Sequence, residues 1–533
     1  MRVRQNLILV VMIAAQLSAI SIGAQAQSVE NLTEKCDELK AADFRGLQDA
    51  PTKITDSKFI DAKADMPAYC KVNGYVSPQV GFDIRLPASN WNGKFLMVGC
   101  GGMCGQLFSE LGICDPPLKR GYACITTDMG HKSNFVHDAL WSYNNLQANV
   151  DFAYRATHVA TLAGKALTER YYRTTPAHSY FVGCSTGGRQ GFVEAHYFPW
   201  DFDGIIAGAA GHGNGPSGLN TLWVVNAASV LSPSAIQTVH EGALAACDLD
   251  DGVKDGIIGN PHACRFDPSK LLCKSGSQGS CLTATQVEGV KKVYSGIRTS
   301  NGEDFHLNIP VGSELDWIPF FVGSDGSPGF LQAQATEYAR YGMGGNPSWN
   351  PNDLDVERDY KRGSLQAPLA PSSNPDLRSF KATGGKLISY HGSSDIWVNP
   401  GPAVDYYETV ERTMGGRKAT QDFFRLFMMP GVGHCAGGPG ADTVDFLGPL
   451  EAWVERQQAP DMILAAHIDH DSTNPELVHS PELIQTMLHF TPLPADLSGA
   501  SFTRPLYPYP QRAMYKGTGD PKRAENFKAV DSK

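Results

Sequence analysis

Short apolar runs and amphipathic stretches take turns along most of the chain. Residues 28 to about 90 hold β-like runs, Tyr69 to Val76 and Phe82 to Leu86, split by Pro, Gly and Asn. These read as the antiparallel start of a sheet. Lys94 to Gly99 is a continuous apolar run ending in glycines, and Tyr122 to Asp128 is the next strand. From Asp151 to Tyr172 the residues Phe152, Ala156, Val159, Leu162, Ala163 and Leu167 share one helical face. A strand-forming run, His178 to Val182, then leads to an amphipathic helix, Arg189 to Phe198. FDGIIAGAAG, residues 202–211, is another buried strand. Strand and helix in alternation predict a parallel, doubly wound α/β sheet.

From about 212 to 380 the rhythm breaks into a stretch rich in Gly, Pro, Ser, Asn and aromatics. It is too long for a loop and reads as a domain inserted over the sheet's C-terminal edge. The α/β pattern resumes at GKLISY, residues 385–390. A helix (Ala403 to Met414), a strand (Asp422 to Met429) and a helix (Val444 to Gln457) complete it. The expected organisation is a leader over 1–26, a first core segment over 27–211, the insert over 212–380 and a second core segment over 381–533.

The leader changes how the cysteines are read. Arg2 and Arg4, an apolar run from Leu7, and Ala24-Gln25-Ala26 have the form of a secretory signal cut after Ala26. No later run approaches the roughly 20 apolar residues that a membrane span needs. With 42% hydrophobic and 19% charged residues the chain can bury a large core, and a net charge of −10 argues against nucleic acid or anionic membranes as partners. In an exported chain the twelve cysteines are best taken as disulfides. Spacing suggests Cys36 with Cys70, Cys247 with Cys264 and Cys273 with Cys281; Cys100, Cys104, Cys114 and Cys124 form a cluster open to several pairings. No C-x-x-C occurs and the histidines do not fall near the cysteines at ligand spacing, so zinc is a weak reading.

Gly183-Cys184-Ser185-Thr186-Gly187 matches G-x-S-x-G between a strand and a helix, the context of a nucleophile elbow. An acyl-transfer serine needs a histidine base, and the base needs a carboxylate to hold its tautomer. Asp395, directly after the strand KLISYHGSS, and His434, directly after RLFMMPGVG, stand in the order an α/β-hydrolase requires. His391 is the nearest rival to His434, but it precedes the acid. Thr186, the residue after the nucleophile, is the expected oxyanion donor through its backbone N–H. Cys184 precedes the serine and Cys435 follows the histidine, so contact between Ser185 and His434 would bring the two cysteines within bonding reach. CDLDDGVKDGII, residues 247–258, is a tight, oxygen-rich loop suited to Ca²⁺, without EF-hand spacing.

These stretches, with WNGKF, GCSTGGRQG, YHGSSD, PGVGHCAGGPG, LEAWVE and YKGTGD, resemble the tannase and feruloyl esterase family over nearly the whole mature chain. The resemblance implies an α/β-hydrolase fold with a large inserted lid domain, and a serine esterase acting on small aromatic esters. It implies an oxyanion hole of the Gly102 and Thr186 N–H groups. It also implies a structural Ca²⁺ on the side chains of Asp248, Asp251 and Asp255 and the carbonyls of Val253 and Ile257. Two features depart from the family. Tyr507 stands where relatives often carry a cysteine, and the tail ENFKAVDSK has no partner cysteine. No lid arginine stands in the context that the terephthalate-ester members use. A feruloyl esterase-like hydrolase is therefore expected, with gallate or terephthalate esters as alternatives; a binding protein on a degenerate hydrolase fold would need a broken triad.

Overall fold

The computed structural model describes residues 31–531, except 135–137, 213, 276–279, 299, 301, 303, 305–306, 324–328, 343–344, 365–371, 469–487, 490–492 and 494–495. The expected leader, 1–26, lies outside the described residues.

A nine-stranded sheet runs in the order β1-β2-β3-β5-β4-β6-β7-β8-β9. Its first three strands, β1 (Thr52–Ile60), β2 (Tyr69–Val76) and β3 (Val80–Pro87), pair antiparallel, and β3 pairs antiparallel with β5 (Ala123–Thr127). From β5 the pairing is parallel through β4 (Lys94–Val98), β6 (His178–Cys184), β7 (Gly204–Gly208), β8 (Lys386–Gly392) and β9 (Phe424–Met429). The change of direction follows composition. β2 alternates buried and half-buried positions, as a sheet with one covered face does, whereas β5 and β7 are buried throughout, as parallel strands under helices are.

Helix α1 (Ala156–Tyr172) continues a π-helical turn, Asp151–Arg155, so the single helix expected from Asp151 is wound in two ways. Helix α2 (Thr186–Tyr197) starts three residues earlier than its amphipathic pattern suggested, at the residue after Ser185. Phe181 of β6 is fully buried and meets Phe202 edge-on at 5.5 Å. Its truncation to alanine would cost about 3–5 kcal/mol and would undercut the strand that presents Ser185.

The segment between β7 and β8 is helical and carries its own cores. Helices α3 (Asn214–Ala228), α4 (Pro233–Cys247), α5 (Ala284–Ser295) and α6 (Phe330–Glu337) lie here. Thr283 and Gln286 form a capping box that starts α5. Trp317, fully buried, belongs to one apolar cluster with Val239, Val290 and Phe321; Trp349 belongs to a second with Leu219 and Leu307.

Beyond β9, helix α7 (Leu447–Arg456) sits where a helix from Val444 was expected, because Thr443–Val444 is taken into a strand, β10. With β11 (Ile463–Ile468) and β12 (Ala500–Leu506) it makes a three-stranded antiparallel sheet, followed by a hairpin of β13 (Gln511–Tyr515) and β14 (Phe527–Asp531). Arg504 and Arg512 tie this C-terminal part to the insert, Arg504 to Asp255 at 2.6 Å and Arg512 to Asp250 at 3.5 Å.

Candidate active site

Ser185 occupies φ 63°, ψ −121°, a region non-glycine residues seldom enter, at the corner between β6 and α2. The neighbouring glycines are required by space. A Cβ on Gly183 would lie 2.6 Å from the Gly187 carbonyl, and one on Gly187 would lie 3.0 Å from the Cys100 carbonyl oxygen. The Ser185 N–H donates to the Gly208 carbonyl at 2.9 Å, which anchors the corner to β7.

His434 stands in the turn after β9. Its Nε2 is 2.9 Å from Ser185 Oγ and its Nδ1 is 2.8 Å from Asp395 Oδ2. With the proton on Nδ1, the ring donates to Asp395 and accepts from the serine hydroxyl. Asp395 Oδ1 accepts the N–H groups of Trp397 and Val398, each at 2.9 Å. Burial alone would raise the Asp395 carboxyl, but the charge of His434 and the donors His391 and His434 hold it well below the usual carboxylate range. It stays ionised where a histidine base works. The indole of Trp397 stacks on His434 with centroids 5.1 Å apart and planes 14° from parallel. Phe320 and Phe330 of the insert meet Trp397 at 5.0 and 5.3 Å. An aromatic wall therefore borders the histidine, a feature that sequence spacing did not single out.

The other expected site residues are placed as follows. Thr186 Oγ1 donates to the Gly102 carbonyl at 2.7 Å, which draws the Gly102 loop against the start of α2. Gly102 has φ +54°. Cys100 and Cys104 bridge this loop, and Gln190 of α2 donates to Cys100 Sγ at 2.9 Å. Cys184 and Cys435 are bonded, with Cα atoms 6.0 Å apart. Cys36–Cys70, Cys247–Cys264 and Cys273–Cys281 are the pairs that spacing suggested. The cluster left open resolves as Cys100–Cys104 and Cys114–Cys124. Chain spacing could not separate these, because Cys124 is carried on a sheet strand and its partner on the turn before the helix Asp115–Lys119.

The acidic loop is a 3₁₀ turn, Asp248–Asp251, closed by Gly252 at φ +92°. Asp248 Oδ1 accepts from the N–H groups of Asp255 and Gly256, at 3.3 and 3.1 Å, and Asp251 Oδ1 from Val253 at 2.9 Å. Asp248 and Asp251 are buried. Burial, more than the neighbouring Asp255 and Asp250, pushes the Asp251 carboxyl up to about 6. An all-oxygen donor set with a desolvated carboxylate fits a hard divalent cation. Asp255 is less ready: its Oδ2 is on Arg504 and its Oδ1 accepts from Ile257.

Among the described residues, the group of three ligating side chains that converges within 4.8 Å lies elsewhere: His158 of α1, Glu194 of α2 and Asp201 after it. His158 Nδ1 is 2.6 Å from Asp201 Oδ2, and the ring stacks on Phe198. Lys165 donates to the Asp201 carbonyl. The lysine ammonium already supplies positive charge there, and the cluster ties α1 to the chain after α2.

A hydrogen-bonded serine, histidine and aspartate, carried at the ends of parallel strands on an elbow, define an α/β-hydrolase of the serine type. The model of the tannase and feruloyl esterase family matches residues 65–530. An uncharacterised esterase of Xanthomonas campestris pv. campestris is 33% identical, over 90% of this chain and 86% of that one. The mono(2-hydroxyethyl) terephthalate hydrolase of Piscinibacter sakaiensis is 31% identical, over 87% of this chain and 85% of its own. The crystal structure of feruloyl esterase B from Aspergillus oryzae superposes with a TM-score of 0.78 at 27% identity, covering 94% of this chain and all of that one. The chain belongs to the tannase and feruloyl esterase family. It is a feruloyl esterase-like carboxylic ester hydrolase.

Proposed function

We propose that this esterase cleaves esters of phenolic acids, with Ser185 as nucleophile, His434 as general base and acid, and Asp395 holding the imidazole. One observation carries the reading: the unbroken relay from Ser185 Oγ through His434 to Asp395, at 2.9 and 2.8 Å. The serine attacks the ester carbonyl while its proton passes to His434 Nε2. The backbone N–H groups of Gly102 and Thr186 receive the developing oxyanion at the start of α2. His434 then protonates the leaving alcohol, and water hydrolyses the acyl-enzyme by the same steps in reverse.

The aromatic wall of Trp397, Phe320 and Phe330 supports an aromatic substrate and a lid role for the insert over 212–380, because a flat ring beside His434 gains stacking contacts there. Hydrolysis of methyl ferulate, methyl gallate and mono(2-hydroxyethyl) terephthalate, compared by kcat/KM, tests the assignment. Preference for ferulate is expected, and a preference for either of the others moves the assignment to that ester.

Ca²⁺ is proposed for the acidic loop. Asp248 and Asp251 would hold it, with the carbonyls of Val253 and Ile257; Asp255 would join by leaving Arg504. The ion would supply charge balance to the insert and no part of the ester chemistry. Export is proposed from the leader over 1–26, with six disulfides as its structural counterpart.

A further inference from the structure

His391 is completely buried within β8, four residues before Asp395. Its Nε2 lies 2.7 Å from the Val398 carbonyl oxygen and 3.4 Å from Asp395 Oδ2, the same oxygen that His434 engages. Its Nδ1 is buried, with no hydrogen-bond partner among the described residues. Those facts select a tautomer. With the proton on Nε2, the ring donates to the carbonyl and leaves Nδ1 as a bare lone pair. A charged ring would bury an N–H with no acceptor, which the interior penalises.

We propose that His391 is a positioning residue for the Asp395–His434 pair, its single Nε2–H shared between the Val398 carbonyl and the Asp395 carboxylate. The inference rests on the triad reading above. The carbonyl closes the 395–398 turn, so one ring sets both the turn and the direction in which Oδ2 faces His434. The shared donor also draws electron density from Oδ2. A carboxylate relieved of it becomes the stronger acceptor and stabilises the protonated relay more, which moves the acid limb of activity to higher pH.

Other charged and titratable groups face this pair. From the insert, Asp316 acts on Asp395 electrostatically, and burial first, then Asp395 and Glu314, push the Asp316 carboxyl up to about 6. Glu314 is held by His240 at 2.8 Å and by the Tyr294 hydroxyl at 2.6 Å. After β7, His212 faces His391 but is engaged with the Ser372 carbonyl oxygen at 2.9 Å. The carboxylates cannot donate when ionised, and both of these histidines are engaged elsewhere. His391 therefore supplies the donor.

The test compares His391→Met, of similar bulk and without a donor, with His391→Gln, whose amide nitrogen reaches the place of Nε2. The readouts are kcat/KM against pH for a chromogenic aromatic ester, kcat and KM separately, and melting temperature. In the Met variant kcat should fall about tenfold with KM nearly unchanged, and the acid limb should move up by roughly half a unit to one unit. The Gln variant should restore the limb and most of kcat. A folded Met variant with the parent's pH profile overturns the proposal. So does an equal loss in both variants with the limb unmoved, which is the signature of packing alone. Where Met prevents folding, His391→Asn takes its place, because its shorter amide does not reach Oδ2. Ser185→Ala run alongside keeps the two readings apart: activity surviving there refutes the triad, whatever His391 does.

Discussion

Cys184 and Cys435 are joined by a disulfide across 251 residues of chain, one cysteine next to Ser185 and the other next to His434. The bond links the end of β6 to the turn after β9, so the segments carrying Ser185 and His434 share a covalent strut. On the chain-entropy model a loop of this length is worth about 5 kcal/mol. If the strut also holds register, the double variant Cys184→Ala/Cys435→Ala should lose about 100-fold in kcat well below its melting point, since a displacement near 1 Å is enough. Full activity in the cold with an early melt would leave the strut a purely thermodynamic role. Recovery of Cys184 bonded to another cysteine in unreduced peptide maps would remove the premise.

Ser185→Ala and His434→Ala should each abolish turnover by several orders of magnitude with melting temperatures near the parent's. The double variant should be scarcely worse than either single one, because the relay works as a unit. Near-normal hydrolysis by Ser185→Ala would end the serine mechanism.

The acidic loop makes a prediction about cations. Chelator should lower the melting temperature, and excess Ca²⁺ should restore it. Occupancy at about 100 times Kd stabilises by about 2.7 kcal/mol. Asp251→Asn should lose the response, with activity below the melting transition retained. A melt indifferent to both chelator and Ca²⁺ reduces the loop to an acidic turn.

Glu194 supplies a pH dependence of known sign. Burial first, and Asp201 second, raise its carboxyl well above the ordinary value of 4.5. The folded state therefore keeps a proton that the unfolded chain gives up as pH passes 4.5. The contribution is fully present below that value, shrinks as pH rises, and is lost once the folded carboxyl ionises. Glu194→Gln carries no such proton, so its melting temperature should fall less steeply from acid toward alkaline pH. Parallel curves for parent and variant would show that Glu194 is ionised in the fold.

How much of this was legible beforehand depended on how local each cause was. The elbow was legible because two glycines, a strand and a helix are neighbours in the chain. Asp395 and His434 were legible because each directly follows a strand. The start of α2 was misplaced by three residues, since Thr186–Gly188 carry no apolar signal and the helix begins there under tertiary contact with the Gly102 loop. β12 went unread because it pairs with the distant β11 and carries Pro505, and the hairpin strands β13 and β14 because they are short and little buried. Chain spacing makes His391 only a competitor to His434, because which wall of a carboxylate a buried ring will face is set by packing rather than spacing. Trp397 was passed over for the same reason; its partners Phe320 and Phe330 arrive from the insert.

β7 and β8 are hydrogen-bonded neighbours, Gly204 opposite Lys386 and Gly208 opposite Tyr390, although the entire insert lies between them in the chain. An ordinary crossover would join the same two strands. Lengthening a connection is thermodynamically mild, about 0.6 kcal/mol per doubling, so the sheet does not register what is spliced there. Ancestry can therefore act on the two parts separately. Lineages are free to exchange or rebuild the insert while inheriting the strands, the elbow and the Cys184–Cys435 strut unaltered, and a change of diet need not be a change of engine.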